Sequence, residues 1–103
     1  MAAGNSSQRS EPARVHAWVT GRVQGVGFRA FVAYSAQKIG VTGWVRNVGY
    51  DTVEAVAEGS QVQVEQFIQM MKTGPRNSQV DESRVEAETH TGEFADFQVR
   101  ASR

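Results

Sequence analysis

Between Gly21 and Gly27 three glycines fall within seven residues, in the run Gly21-Arg22-Val23-Gln24-Gly25-Val26-Gly27-Phe28-Arg29. Glycine at this density marks a backbone that turns tightly or leaves space for something to approach it. If a strand precedes this loop and a helix follows, several backbone N–H groups are left without an intrahelical partner and point toward one concavity. Such a concavity attracts anions, and a helix dipole adds roughly half a positive charge at its N-terminus. Arg29 stands where the first helical turn would be, although basic side chains ordinarily favour the other end of a helix. Its forked guanidinium can grip a phosphate at two oxygens, so something negative is expected to compensate it. Each residue alone is more simply a turn glycine or a solvated arginine; the combination favours an anion site.

Rival chemistries find less support. Gly25-Val26-Gly27-Phe28-Arg29-Ala30 satisfies the G-x-G-x-x-[G/A] form of a dinucleotide fingerprint, but 103 residues cannot supply both halves of a dinucleotide fold. No Lys-Ser or Lys-Thr follows the glycines, which removes the nucleotide-triphosphate loop. With no cysteine, thiol nucleophiles, disulfides and cysteine metal sites are excluded. His16 and His90 are too far apart for a short metal motif and read as strand-surface residues, so no metal is expected. Ser35, Ser60 and Ser78 have no adjacent histidine to activate them.

The composition is that of one ordinary globular domain, 40% hydrophobic and 21% charged. Formal charge is zero, but residues 1–50 carry six basic groups against the single acid Glu11, a local +5 that the second half balances. With a pI near 6.7, that asymmetry suggests a local anion site more than a nucleic-acid surface. No apolar run approaches the roughly 20 residues of a membrane span, and the first residues lack the layout of a secretory signal. A soluble, cytoplasmic, monomeric protein is expected.

The elements that must position Arg29 follow from periodicity. Residues 1–12 read as a frayed tail, and the domain is expected to occupy 13–103. Val15, Ala17 and Val19 alternate with His16, Trp18 and Thr20, which predicts a first strand. Phe28, Phe31, Val32, Ala36 and Ile39 fall at helical spacing, and Gly40 suits a helix stop. Thr42–Val48 and Thr52–Glu58 read as a hairpin around Val48-Gly49-Tyr50-Asp51. Ser60 and Gln63 fit a capping box before a stripe of Val64, Phe67, Ile68 and Met71, which stops at Gly74-Pro75. Gln79–Glu88 alternates weakly and Phe97–Arg100 is a short last strand. The order β-α-β-β-α-β with a short fifth strand predicts an α+β, ferredoxin-like two-layer sandwich, two helices on one face of a mainly antiparallel sheet. The other face is expected to meet solvent, which would account for Glu54 and Glu58; Glu86, Glu88 and Glu93 read as a solvated acidic surface, with arginine pairing as the alternative.

The run Gly21 to Arg29, followed by Gly43-Trp44-Val45-Arg46-Asn47, resembles the two signature segments of the acylphosphatase family. The resemblance extends from about Arg14 to Arg100 and includes the Val53-Glu54 strand and Gly59. It implies that the loop amides of Gln24, Gly25, Val26, Gly27, Phe28 and Arg29, together with the Arg29 side chain, bind a phosphoryl group. It also implies that Asn47 positions an attacking water; without the resemblance, Asn47 would read as a strand-end residue bonding its own turn. One departure is that Tyr50-Asp51-Thr52 stands where members often have Asp-Gly.

The implied activity is hydrolysis of an acyl phosphate to a carboxylate and inorganic phosphate, with no cofactor. The partners expected are a small acyl phosphate and inorganic phosphate or other anions, and neither nucleic acid nor membrane. Two alternatives are a non-catalytic ferredoxin-like module binding anions or RNA through Trp18, Trp44 and Tyr50, and a regulatory or maturation domain detached from a larger protein. The aromatic ribonucleoprotein signature that the RNA reading requires is missing.

Overall fold

A computed structural model describes residues 10–103. Of the expected tail, residues 1–9 lie outside the described residues. The first strand, β1, runs from Pro12 to Arg22 and so begins one residue before the expected domain start. It is followed by α1 (Phe28–Ile39), β2 (Thr42–Val48), β3 (Thr52–Ser60), α2 (Gln61–Thr73), β4 (Gln79–Glu88) and β5 (Phe97–Val99). The five strands form one sheet in the order β4-β1-β3-β2-β5, antiparallel throughout except for the short parallel pair of β2 and β5.

Alternation decides which side chains face the helices. Val15, Ala17 and Val19 of β1, Val53, Ala55 and Ala57 of β3, and Val45 of β2 form the sheet side of the core. Phe28, Val32 and Ala36 of α1 and Val64, Phe67 and Met71 of α2 cover them at helical spacing. The Ser60 hydroxyl accepts the Gln63 N–H at 3.2 Å while the Gln63 carboxamide oxygen accepts the Ser60 N–H at 2.8 Å, so the expected capping box starts α2. The Gln63 Nε2 also donates to the Ile39 carbonyl, tying the end of α1 to the start of α2.

The opposite sheet face departs from expectation. Glu54 is 6% and Glu58 only 2% exposed. They are buried because long side chains from β1, β2 and β4 and the segment 90–93 close over that face, a long-range arrangement that alternation within one strand does not announce. Trp44, on the same face, is likewise buried.

Candidate active site

Val23 is fully buried, which anchors the chain as it leaves β1. Gly25 and Gly27 then take φ of 75° and 76°, in the left-handed region where a side chain is disfavoured. Gly27 also caps α1, with no side chain to occupy the first helical amides and no acid in the first turn. The Phe31 N–H bonds the Gly27 carbonyl at 3.0 Å; the amides of Phe28, Arg29 and Ala30 have no partner within the helix. A Cβ placed on Gly25 or Gly27 would meet nothing within 4 Å, so open space lies over both.

Arg29 stands in this first turn, half-buried, and its Nη1 donates to the Arg100 carbonyl at 3.3 Å. That carbonyl is held in place because residues 100–103 continue alongside β2. Arg100 N–H bonds Val45 O, Arg103 N–H bonds Asn47 O, and Gly49 N–H bonds Arg103 O, all within 3.0 Å. Asn47 lies two residues beyond the buried Val45 and therefore faces the helix side of the sheet. Among the described residues, no hydrogen bond engages its carboxamide.

Arg29 and Asn47 meet across a cleft of about 300 Å³ whose walls include Val23, Gly25, Gly27, Phe28, Ala30 and Val99. Of the loop residues expected to surround a phosphoryl group, Gly25, Gly27, Phe28 and Arg29 line this cleft. Gln24 and Val26 do not. Val26 packs against the core, and Gln24 turns its carboxamide onto the β2–β3 turn, donating to the carbonyls of Val48, Gly49 and Thr52. The cleft thus offers backbone donors, one cation and one neutral carboxamide, with apolar walls on either side. It can hold a tetrahedral oxyanion and a solvent molecule together.

A second constellation covers the other sheet face, and sequence reasoning missed it. Arg14 donates to Glu58 at 3.0 Å, Glu88 at 2.7 Å and Glu93 at 2.7 Å. Glu58 also accepts from the Thr91 N–H and hydroxyl and from the Gly92 N–H. Burial pushes the Glu58 carboxyl up, but these bonds from Thr91, Arg14 and Gly92 outweigh it and hold the group at about 2. Burial would lower the Arg14 pKa, and its three carboxylate partners raise it instead.

His16 sits between two carboxylates, Nε2 to Glu54 at 2.6 Å and Nδ1 to Glu88 at 2.9 Å, and stacks on Trp18 at 3.9 Å. Against the upward push of burial, Arg46 and His16 hold Glu54 below the usual carboxylate range; Arg14 and His16 do the same for Glu88. The aromatic faces here are already taken: Arg84 lies over Trp18, and both Arg46 and Arg100 lie over Trp44. Glu88 and Glu93 are therefore partners of Arg14 and not merely a solvated surface. The signal available in sequence was the alternation of Arg14, His16 and Trp18, but their partners are set by strand register.

The sheet order and the two helices on one face define a ferredoxin-like α+β protein, with a cleft between the glycine cradle and a strand asparagine, and comparison with known proteins narrows that class. The sequence matches the acylphosphatase family over residues 15–99. It is 47% identical over 90 residues to an acylphosphatase of Syntrophotalea carbinolica, covering 87% of this chain and 98% of that protein. The fold is similar to an acylphosphatase from Coxiella burnetii, with a TM-score of 0.83 and 30% identity over 92% of this chain and 99% of that one. It is also similar to part of full-length HypF in its phosphate- and nucleotide-bound form, with a TM-score of 0.80 and 33% identity, covering 89% of this chain and 12% of that one. The chain belongs to the acylphosphatase family.

Proposed function

We propose that this chain is an acylphosphatase that splits the carboxyl–phosphate bond of a small acyl phosphate by in-line attack of water. The observation that supports this reading is the single cleft in which the unpartnered amides at the start of α1, the Arg29 guanidinium and the free Asn47 carboxamide converge. The phosphoryl group is held by the loop amides of Gly25, Gly27, Phe28 and Arg29, which line the cleft, and by the Arg29 side chain. Asn47 orients the water on the opposite side of phosphorus from the leaving carboxylate.

The chemistry asks little more of the protein. The water oxygen bonds to phosphorus as the bond from phosphorus to the acyl oxygen breaks, and that electron pair departs on a carboxylate. Such a leaving group has a solution pKa near about 4 and needs no general acid. Asn47 is a poor base, so the proton of the attacking water passes to a phosphoryl oxygen. The charge on the equatorial oxygens meets fixed N–H dipoles and the Arg29 cation, a preorganised field that needs no reorganisation as charge redistributes. Holding the water in line removes much of the entropic cost of its approach.

The proposal includes metal independence, with inorganic phosphate as product and competitive inhibitor, and a monomeric, cytoplasmic setting. Benzoyl phosphate hydrolysis in the presence of a chelator, with phosphate titrated as inhibitor, tests the central reading. Turnover unaffected by chelation and competitively inhibited by phosphate supports it; no turnover overturns it.

A further inference from the structure

We infer that Gln24 is a positioning residue for the hydrolytic reaction, setting the distance between the phosphoryl-holding loop and the water held by Asn47. The inference rests on the functional reading above and adds a residue whose side chain does not line the cleft.

The Gln24 Nε2 lies 3.2 Å from Val48 O, 3.2 Å from Gly49 O and 2.9 Å from Thr52 O. All three partners are carbonyl oxygens, which can only accept, so the nitrogen of the carboxamide must face them and the orientation is fixed by chemistry. Two N–H groups shared over three acceptors make one clamp across both ends of the β2–β3 turn. Val48 directly follows Asn47, so the clamp grips the strand at the residue next to the water-holding side chain. A second tie, Gly21 N–H to Asp51 O at 3.0 Å, fixes the start of the same loop to the same turn.

What comes after Gln24 gives the clamp its importance. Gly25 and Gly27 both hold positive φ, with open space where a Cβ would stand. Gln24 is therefore the last side chain tied to β2 and β3 before the cradle begins. The cradle and Arg29 are carried by the loop and α1, whereas Asn47 is carried by β2. Phosphate affinity depends on the first set alone, but in-line attack depends on the distance between the two sets.

The test is a double-mutant cycle with benzoyl phosphate as substrate and inorganic phosphate as binding probe. Gln24→Met keeps the length and removes the donor. It is expected to lower kcat about tenfold, since small misplacements of reacting groups are costly, while the phosphate inhibition constant stays within about threefold. In an Asn47→Ala background the same substitution is expected to change kcat by less than about twofold, because the geometry it protects is already lost. A merely structural role would cost the same in both backgrounds. Gln24→Glu supplies a second readout: a carboxylate facing three carbonyls is repelled, and protonation restores one O–H donor. Its kcat relative to wild type is expected to recover as pH falls.

The inference is overturned by an unchanged kcat in Gln24→Met, by equal losses in the two backgrounds, by phosphate affinity falling in step with kcat, or by a pH-independent ratio for Gln24→Glu. Should Gln24→Met fail to fold, the pH dependence of Gln24→Glu decides alone. A wild-type chain that does not hydrolyse benzoyl phosphate overturns the functional reading and this inference together, whereas an active wild type with any of the results above overturns the inference only.

Discussion

Arg29 and Asn47 reach the same cleft from different elements, one from the first turn of α1 and the other from the end of β2. The division matters because the two residues can be removed separately with separable consequences. Arg29→Ala is expected to lower kcat/KM by about 10²- to 10³-fold and to weaken phosphate inhibition, as the loss of a donor to a charged transition state would. Arg29→Lys keeps the charge but not the fork, so it should stay well below wild type. Steady-state kinetics with phosphate as inhibitor checks both.

Asn47→Ala is expected to behave differently. Its carboxamide makes no hydrogen bond within the described structure, so its loss should leave thermal stability nearly unchanged. Turnover should fall by about 10²-fold while phosphate still binds, because the residue orients water and does not hold the anion. A calorimetric phosphate titration alongside kcat separates the two effects.

Glu58 makes stability depend on acid. Its folded value of about 2 lies below the ordinary 4.5, so its contribution is complete at pH values above about 4.5 and is lost as pH falls toward 2. A depression of that size corresponds to an order of 3 kcal/mol. Glu54 and Glu88 are shifted in the same direction and add to the loss. Denaturant unfolding from about pH 6 down to about pH 2 should show the decline, and Glu58→Ala should flatten it while costing about 3 to 5 kcal/mol at neutral pH.

Gly27 and Gly43 both hold positive φ, yet alanine should be tolerated at only one of them. At Gly27 a Cβ meets open space, so the cost is the backbone penalty of about 1–2 kcal/mol together with intrusion into the cleft. At Gly43 a Cβ would overlap the Val56 carbonyl within the β2–β3 pair. Gly43→Ala is expected to prevent stable folding, with a loss above about 4 kcal/mol. Circular dichroism melts of the two variants check the contrast.

The elements were legible because their signals are local. Ser60 and Gln63 are three residues apart, Val15 to Val19 alternate within one strand, and the cradle glycines stand beside Arg29 in the chain. Asn47 carried no comparable local signal; only its resemblance to a family segment pointed to the cleft, and the structure shows why, since β2 and the loop meet through tertiary packing. The family resemblance alone places the Gln24 amide in the cradle, and nothing local announces that its carboxamide is directed by carbonyls 24 to 28 positions away. Alternation within β3 predicts a solvated Glu58, because the residues that bury it, Thr91 and Gly92, are 33 and 34 positions distant. No periodicity within β3 reports a cover that arrives from another part of the chain.

That separation also dictates an order of events during synthesis. The Glu58 carboxylate leaves the ribosome before Thr91 and Gly92, so it stays hydrated until that segment has emerged. The interior strand β1 waits as well, since one of its two neighbours is β4. Completion of this sheet consequently follows synthesis of β4 and β5, the two edge strands that close it.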